Sequence, residues 1–396
     1  MNFPSAPSVL KKKNLFTNSD IEHMLGCENV HELCRYLSDK GYGEGDDIEE
    51  ILKSHSENVW EYLKRTAPDF AIFTPFFYLN DLHNLKAVLK GTLSNRPYSQ
   101  LLVKPCTFSE ETLKQAVENR KFSLLGEELS APCDKAYEIL AHTGDARLSD
   151  AVLDRAFMEL VLKTSEKSDS EFMSEYFKAT VFYNNVKTAI RGAKADCDRD
   201  FLEIAICDVQ DFPRSRVIEA SVKGLEPTLD VLSKISAYGC NKAVEEYKAS
   251  PSAFEKFVDN RLMSLAKEKC KRSGDGADPI TGYLIASETE KKVIHIIASG
   301  IRTKTNYETV KKGCVKFMAK NIAVIGDSES IKGFAAIGMD IYPCDDNENA
   351  PHLFRKIADG DNYAVILLPR KCSDLLKKSE KDMKKGSFLP LFLSPV

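Results

Sequence analysis

The sequence lacks the short motifs that mark the commonest catalytic centres. It contains no Gly-Lys dipeptide, and so it has no phosphate-binding loop of the form G-x-x-x-x-G-K-[ST]. His31-Glu32 begins like the zinc-protease motif H-E-x-x-H, but Arg35 stands where the second histidine belongs. No G-x-S-x-G nucleophile elbow occurs either. We therefore expect a protein that is not an enzyme, with no catalytic residue and no bound cofactor or metal.

The chain also lacks an excess of positive charge and a long apolar segment. Its net charge of −4 does not favour a nucleic-acid-binding protein. No apolar run approaches the roughly 20 residues that cross a bilayer, so we expect no direct membrane insertion. The eleven cysteines include no C-x-x-C pair, and Met1–Lys13 has no apolar core like that of a secretory signal. These observations predict a cytoplasmic protein with free thiols.

What the sequence has in quantity is helical periodicity. Between about residues 18 and 300, apolar residues recur at the spacing of amphipathic helices, and few segments alternate as strands do. Several of these helices are predicted to end at a glycine, which is a common stop signal. With 43% apolar and 29% charged residues, the chain has an ordinary globular composition and enough length for two or three domains.

Three of the predicted helices end in related segments. Residues 84–91 read NLKAVLKG, residues 185–192 read NVKTAIRG, and residues 293–300 read VIHIIASG, which is a weaker copy. Chance is one explanation, because amphipathic helices that end in glycine are common. The other is an internal repeat of helical units of roughly 100 residues, in which neighbouring units cover each other's apolar faces. We favour the repeat.

A different pattern begins after Lys320. Apolar strands alternate with amphipathic helices, which predicts a small α/β domain with a parallel sheet. The predicted strands are Asn321–Gly326, Met339–Cys344, Tyr363–Leu368 and Phe388–Leu393. The predicted helices between them are Glu329–Ile337, Glu348–Ala358 and Ser373–Glu380.

Asp327 follows the first of these strands, where a phosphate-accepting receiver domain would carry an acid. Such a domain also needs a carboxylate after its third strand, where this chain has Leu368-Pro369. We therefore interpret Asp327 first as a helix cap. Asp345, Asp346 and Glu348 could bind a hard cation, but capping of the following helix is the simpler explanation.

Four helical stretches carry a family resemblance, namely residues 21–43 (IEHMLGCENVHELCRYLSDKGYG), 78–91 (YLNDLHNLKAVLKG), 176–192 (YFKATVFYNNVKTAIRG) and 279–300 (PITGYLIASETEKKVIHIIASG). They resemble the C subunit of the V/A-type rotary ATPases, the bacterial and archaeal relative of the eukaryotic V-ATPase d subunit. PITGYLIA followed by E-x-E is the most specific of them. The tail resembles the F subunit of the same enzyme, through NIAVIGDSESIKGFAAIGMDIYP and NYAVILL.

This resemblance implies the fold and its division into domains. The fold class would be mainly α, a pseudo-threefold helical funnel of three helical repeats, followed by a small α/β domain with a parallel sheet. The funnel would span residues 1–310, with repeats at roughly 1–75 with 279–310, 76–175 and 176–278. Residues 311–319 would be a linker, and residues 320–396 a domain like the F subunit.

The resemblance also implies a function and a set of partners. The chain would be a non-catalytic rotor component on the cytoplasmic face of the membrane. Its funnel would join the proteolipid (c-type) ring to the D subunit of the central shaft, and act on the A and B catalytic head indirectly. The F-like domain would be regulatory. Candidate partner-binding residues are Asn84, Lys86, Asn185, Lys187, Arg191, Glu288, Glu290 and Asp327. For the Asn, Lys and Arg residues of this set, capping and salt bridges inside the module are an equal alternative.

The chain departs from the family pattern in its third repeat and in its tail. Val293 and His295 stand where the family usually has Asn and Arg, and Ser287 where it often has Arg. The F subunit of the family also continues into a C-terminal helix beyond the position of Val396. These departures leave a second hypothesis open, in which the chain is a helical scaffold detached from the ATPase, with an α/β regulatory or ligand-sensing domain.

Overall fold

The computed structural model describes most of the helical part of the chain and a smaller share of its tail. The described residues are 15–67, 69–168, 170–272, 277–314, 321–328, 331, 340–344, 349, 352–354, 357 and 363–367. The predicted acidic cluster at residues 345–348, the predicted helix Ser373–Glu380 and the predicted strand Phe388–Leu393 lie outside the described residues.

The chain forms two compact units. The larger one contains Asn29–Val315, and the smaller one combines Phe16–Glu28 with the chain from Lys316 onward. Helix α1 (Asn18–Leu25) therefore belongs to the smaller unit, although it lies near the start of the sequence. A capping box between Thr17 and Asp20 begins this helix. The domain boundaries given above remain a prediction.

The larger unit is built of α-helices with short connections. They are α2 (Val30–Asp39), α3 (Ile48–Thr66), α4 (Thr74–Ser94), α5 (Glu110–Glu118), α6 (Glu127–Thr143), α7 (Ala146–Glu166), α8 (Glu171–Lys194), α9 (Arg199–Ala205), α10 (Arg214–Val222), α11 (Leu225–Ser233), α12 (Cys240–Ala249), α13 (Pro251–Arg272), α14 (Ala277–Arg302) and α15 (Tyr307–Gly313). No helix in the described part of the chain has the length and the low charge that a bilayer span requires.

Side-chain caps set the starts of many of these helices. At α3, α5, α7, α8 and α9, the residue before the helix accepts a hydrogen bond from the backbone amide three residues further on. The capping residues are Asp47, Ser109, Asp145, Ser170 and Asp198. Each such cap stabilises a helix by about 1 kcal/mol, so these starts follow directly from the sequence.

The same packing recurs three times in the larger unit. A long first helix packs against a later helix of its own repeat, as α4 does against α7 and α8 against α13. In the third repeat the first helix is α14, and its partner is α3, from near the start of the unit. His55 Nε2 lies 2.8 Å from Ser287 Oγ, and Lys291 Nζ donates to Ser56 Oγ at 3.0 Å. The third repeat is therefore completed by contacts between residues that are far apart in the sequence, with separations of 232 and 235 positions.

The glycines that were expected to end the three first helices do not end them. Helices α4, α8 and α14 continue for two or three residues beyond Gly91, Gly192 and Gly300. A Cβ atom on these glycines would lie 2.4, 2.6 and 2.4 Å from a side-chain atom of the chain that follows the helix. The neighbouring residues are Tyr98, Leu202 and Val310. The predicted helix ends were wrong because each glycine serves close packing instead of a turn.

Apolar cores hold the repeats together. One core joins α4, α5, α6 and α7 through fully buried side chains such as Val88 and Phe157. Another joins α8 to the helices from α9 to α13, with Phe182 and Leu202 among its fully buried residues. Burial of each of these side chains contributes about 1.5–3 kcal/mol. Each core lies mainly within one repeat, which makes each repeat a packing unit in its own right.

The tail contains a parallel sheet, as the sequence predicted. Its strands are β1 (Asn321–Gly326), β2 (Asp340–Pro343) and β3 (Tyr363–Leu367), in the order β2-β1-β3. Both pairings of β1 are parallel, with Val324 opposite Ile341 on one side and Leu367 on the other. Parallel neighbours need crossover connections, which fits the predicted strand–helix alternation. The predicted fold class, a mainly α region followed by a small α/β region, is confirmed.

Candidate partner-binding site

A central cavity of about 840 Å³ lies between the first helices of the three repeats. Its walls are one face each of α4, α8 and α14, together with α3, α13 and the loop Gln100–Lys104. The three first helices contribute Phe76, Leu79, Asn80, Tyr176, Thr180, Tyr183, Asn184, Lys187, Ile285, Glu288, Thr289, Lys291, Lys292 and His295. The cavity therefore lies inside the larger unit, and all three repeats build it.

Aromatic contacts fix the positions of these walls. Phe76 on α4 lies edge-on to Phe177 on α8, with ring centroids 4.9 Å apart. Trp60 on α3 meets Phe77 on α4 at 5.3 Å, and Tyr62 on α3 meets Tyr283 on α14 at 5.8 Å. Each aromatic pair at such a distance stabilises the fold by about 0.5–1.5 kcal/mol beyond the contribution of the apolar area that it buries. The walls are therefore joined rigidly around the cavity.

Basic and acidic side chains meet at corresponding positions in the three repeats. Lys86 Nζ on α4 lies 2.5 Å from Asp154 Oδ1 on α7, and Lys187 on α8 pairs with Glu255 on α13. In the third repeat, His295 Nδ1 on α14 lies 3.7 Å from Glu49 Oε1 on α3. The two lysines were predicted as partner contacts. Both lysines pair within their own repeats, but Lys187 also lines the cavity, whereas Lys86 is not among the lining residues.

The two predicted asparagines hold loops from inside the protein. Asn84 donates to the carbonyl of Val103 and accepts from its amide, at 2.9 and 2.8 Å. Asn185 makes the same pair of bonds with Cys207, at 2.8 and 3.0 Å. Both asparagines are 2% exposed. Their amides are thus engaged within the repeat, and a partner would be affected through the loops that they position.

The remaining predicted residues lie in different surroundings. Glu288 lines the cavity and its Oε1 lies 2.7 Å from Lys291 Nζ, while Glu290 is fully buried. Arg191 is 76% exposed, with its Nη2 3.7 Å from Glu255 Oε1. Asp327 is an exposed residue of the smaller unit, directly after β1. Of the predicted set, Lys187 and Glu288 are brought together in the wall of the cavity.

Sequence reasoning missed a loop that α4 holds at the cavity. Asn80 donates to the carbonyl of Pro105 at 2.7 Å, and His83 Nε2 donates to the carbonyl of Leu101 at 2.9 Å. Asp81 accepts the backbone amides of Thr107 and Phe108 at 3.0 and 3.1 Å. The polar run NDLHN on an otherwise apolar helix was the available signal, but the sequence did not show which backbone it would meet.

Asp81 is an acid held in an apolar setting. Its side chain is fully buried beside the first core. This burial raises the pKa of the Asp81 carboxyl, and the hydrogen bonds from Thr107 and Phe108 oppose the shift only in part. Within the described residues, no group of His, Cys, Asp and Glu side chains is arranged to hold a metal ion. The cavity wall itself carries charged side chains that are paired, Lys187 with Glu255 and Glu288 with Lys291.

Comparison with known proteins gives two adjoining matches. The family model of the ATP synthase (C/AC39) subunit matches residues 9–313, and that of the ATP synthase (F/14-kDa) subunit matches residues 322–394. The C subunit of the A-type ATP synthase of Methanobrevibacter smithii is 27% identical, over 76% of this chain and 83% of its own length. The C subunit of the V-type sodium ATPase of Enterococcus hirae is 20% identical, over 76% and 94%. The F subunit of the V-type ATP synthase of Clostridium botulinum is 31% identical, over 20% and 75%.

Proposed function

Because this chain belongs to the ATP synthase (C/AC39) subunit family and continues into a match to the F/14-kDa subunit family, we propose that it is a rotor socket. It is a component of the stalk of a V/A-type ATPase complex. In the finer proposal, the larger unit stands on the proteolipid ring at the cytoplasmic face of the membrane. It receives the end of the D subunit of the central shaft and transmits torque between ring and shaft.

The central cavity carries this proposal. It is built from corresponding faces of three first helices and measures about 840 Å³. A helix about 10 Å across fills that volume in roughly two turns. The cavity thus suits the end of a helical shaft rather than a whole domain. Torque transmission also requires stiff walls, and the buried aromatic and apolar contacts between α3, α4, α8 and α14 supply them.

Charged residues of the cavity wall would make the polar contacts to the shaft. Lys187 and Glu288 both line the cavity and are already paired, with Glu255 and Lys291. An incoming charged side chain could exchange with either partner at little cost, because such half-exposed pairs contribute only about 0 to 1 kcal/mol.

The other predicted residues of the larger unit would act away from the cavity wall. Asn84 and Asn185 would affect partners through the loops that they hold. Lys86 and Arg191 remain candidates for contacts with the ring, whereas Glu290 is fully buried and would affect the ring only through the packing of α14.

The smaller unit would regulate the complex in the manner of the family's F subunit. Its parallel sheet presents Asp327 directly after β1, at the carboxyl edge of the central strand. Side chains at that edge of a parallel sheet are the usual contact points for ligands and partners. We propose Asp327 as a contact of this regulatory surface.

The isolated chain is proposed to have no catalytic activity of its own. It has no phosphate-binding loop, and the cavity contains paired charges in place of an acid–base set. We expect purified full-length protein to release no phosphate from MgATP above a no-protein blank. A turnover that survives repurification and scales with protein concentration would contradict the rotor proposal.

Co-purification from native membranes tests the proposal as a whole. The tagged full-length chain should bring down the proteolipid, the D subunit of the shaft and the A and B subunits, as identified by mass spectrometry. An intact 44.3 kDa band in that preparation would also establish that both units act in one polypeptide. Recovery of the chain alone from the soluble fraction would instead favour the detached scaffold with a sensing domain.

A further inference from the structure

The loop Gln100–Lys104, here named the lip, breaks the threefold pattern of the cavity wall, because the first repeat adds this loop to its first helix, whereas the second repeat adds α13 and the third adds α3. All five of its residues line the cavity wall. The corresponding chain after Gly192 forms α9 and that after Gly300 forms α15, and among the described residues neither segment contributes to the lining. Only the first repeat, within the described part of the chain, therefore places a loop at the cavity.

The lip presents apolar side chains that a folded protein would ordinarily cover. Leu101 is 58% exposed and Val103 is 38% exposed, while Leu102 between them packs against the core of the first repeat. The chain alternates in this way because Leu102 has an extended backbone, with φ −75° and ψ 134°. At the corresponding place in the second repeat, Cys207 is 2% exposed. The apolar exposure thus belongs to the first repeat and faces the cavity.

The lip is also held firmly in place. Asn80, His83 and Asn84 of α4 bond to the backbone of Pro105, Leu101 and Val103, at 2.7 to 2.9 Å. Three of these four bonds hold the lip itself and the fourth holds Pro105, which follows it. They come from neighbouring turns of one helix and make the lip a fixed surface.

The other two repeats do not reproduce this set of contacts. The corresponding positions on α8 are Val181, Asn184 and Asn185, of which only Asn185 bonds to its loop. On α14 they are Thr289, Lys292 and Val293, and Lys292 bonds instead to Asp259. Firm attachment of a loop beside the cavity is therefore a property of the first repeat.

We infer that the lip is a key that fixes one rotational orientation of the shaft in the socket. This inference rests on the proposed function. A socket with three equal walls would accept a shaft in three orientations, a third of a turn apart. Burial of Leu101 and Val103 against an apolar stripe of the shaft favours one of them, since only one wall offers this contact. Lys104 lines the cavity beside them and makes no ion pair among the described residues, so a carboxylate should flank that stripe.

Binding of the purified D subunit to the full-length chain tests this inference. We expect Leu101→Asp and Val103→Asp each to weaken binding, raising the dissociation constant about tenfold or more, because a charge replaces a buried apolar contact. The matched controls are Leu124→Asp and Val222→Asp, whose side chains are 46% and 49% exposed and lie outside the cavity. Both controls should bind within about twofold of the unmodified chain. Leu101→Ala, which introduces no charge, should give a smaller loss in the same direction.

A photocrosslink reads the orientation directly. With p-benzoylphenylalanine at position 101, shaft peptides that crosslink should come from one side of the helical shaft. Crosslinks spread over three sides of the shaft, or equal affinities for the Leu101→Asp and Val222→Asp variants, would refute the role of the lip as a key. Neither result would contradict the proposed socket function. If the unmodified chain itself does not bind the shaft, the proposed function fails and the key fails with it.

Discussion

Replacement of Asn185 by alanine should destabilise the larger unit far more than replacement of its neighbour Asn184. The Asn185 side chain satisfies both the amide and the carbonyl of Cys207, which is 2% exposed. Removal of the side chain leaves two buried polar groups without partners, at about 1 to 3 kcal/mol each. We therefore expect Asn185→Ala to lower the free energy of unfolding by about 2 to 5 kcal/mol. Asn184 donates only to the sulfur of Met158 at 3.4 Å, a weak acceptor, and its loss should cost below about 1 kcal/mol.

Urea unfolding followed by tryptophan fluorescence measures this difference. The chain has a single tryptophan, Trp60 on α3, so the signal reports on the larger unit without a contribution from the smaller one. With a denaturant slope of about 3 kcal/mol/M, the midpoint of Asn185→Ala should fall by about 1 M. Asn84→Ala should fall less, because Val103 is 38% exposed and water can replace the lost bonds. Equal midpoints for the Asn184 and Asn185 variants would refute the assignment of Asn185 as a loop anchor.

Three further changes test separate parts of the structure. Gly91→Ala should destabilise the larger unit by about 1 to 3 kcal/mol in the same urea assay, because the new Cβ would lie 2.4 Å from the Tyr98 ring. An unchanged urea midpoint would show that the Tyr98 ring moves away at no cost. A double-mutant cycle of Lys187→Ala and Glu255→Ala should give a coupling energy of about 0.5 kcal/mol, as expected for a half-exposed salt bridge. A coupling energy above about 2 kcal/mol would show that this salt bridge is not a weak surface pair. The raised pKa of the Asp81 carboxyl means that the folded chain binds this proton more tightly than the unfolded chain does. The free energy of unfolding of the unmodified chain should therefore fall as the pH rises above the usual pKa of about 3.9. Asp81→Asn should lack this fall. Urea midpoints at about pH 4 and about pH 7 check the last prediction, and an identical pH dependence in the variant would refute it.

The sequence predicted the elements of this fold better than the roles of its polar residues. The strand Asn321–Gly326 was predicted to the residue, because an apolar run followed by Gly-Asp has few other interpretations. The strand predicted over Met339–Cys344 corresponds to β2, Asp340–Pro343. Such local signals act over three or four residues, so a sequence displays them directly.

The loop anchors could not be predicted in the same way. Asn84 and Asn185 meet backbone 19 and 22 residues further along the chain, and Lys187 meets Glu255 at a separation of 68. A side chain's partner at such distances depends on how whole helices pack, and periodicity does not report this. The repeated segments placed Asn84 and Asn185, and the lysines two residues further on, at corresponding positions. Only the packing of the helices shows that the asparagines face inward and that Lys187 faces the cavity.

The closing of the third repeat by α3 and α14 has a consequence for the order in which the chain folds. Ser56 meets Lys291 across 235 residues of sequence. At a synthesis rate of about 5–20 residues per second, α3 waits roughly 10 to 50 s for α14. Val59 and Leu63 of α3, which share one apolar core with Ile280, Tyr283 and Leu284 of α14, lack that part of their packing during this time. The first and second repeats can form while the chain is still on the ribosome. The third repeat closes only after α14 has emerged. This closing step is therefore the one most open to misfolding and to chaperone binding.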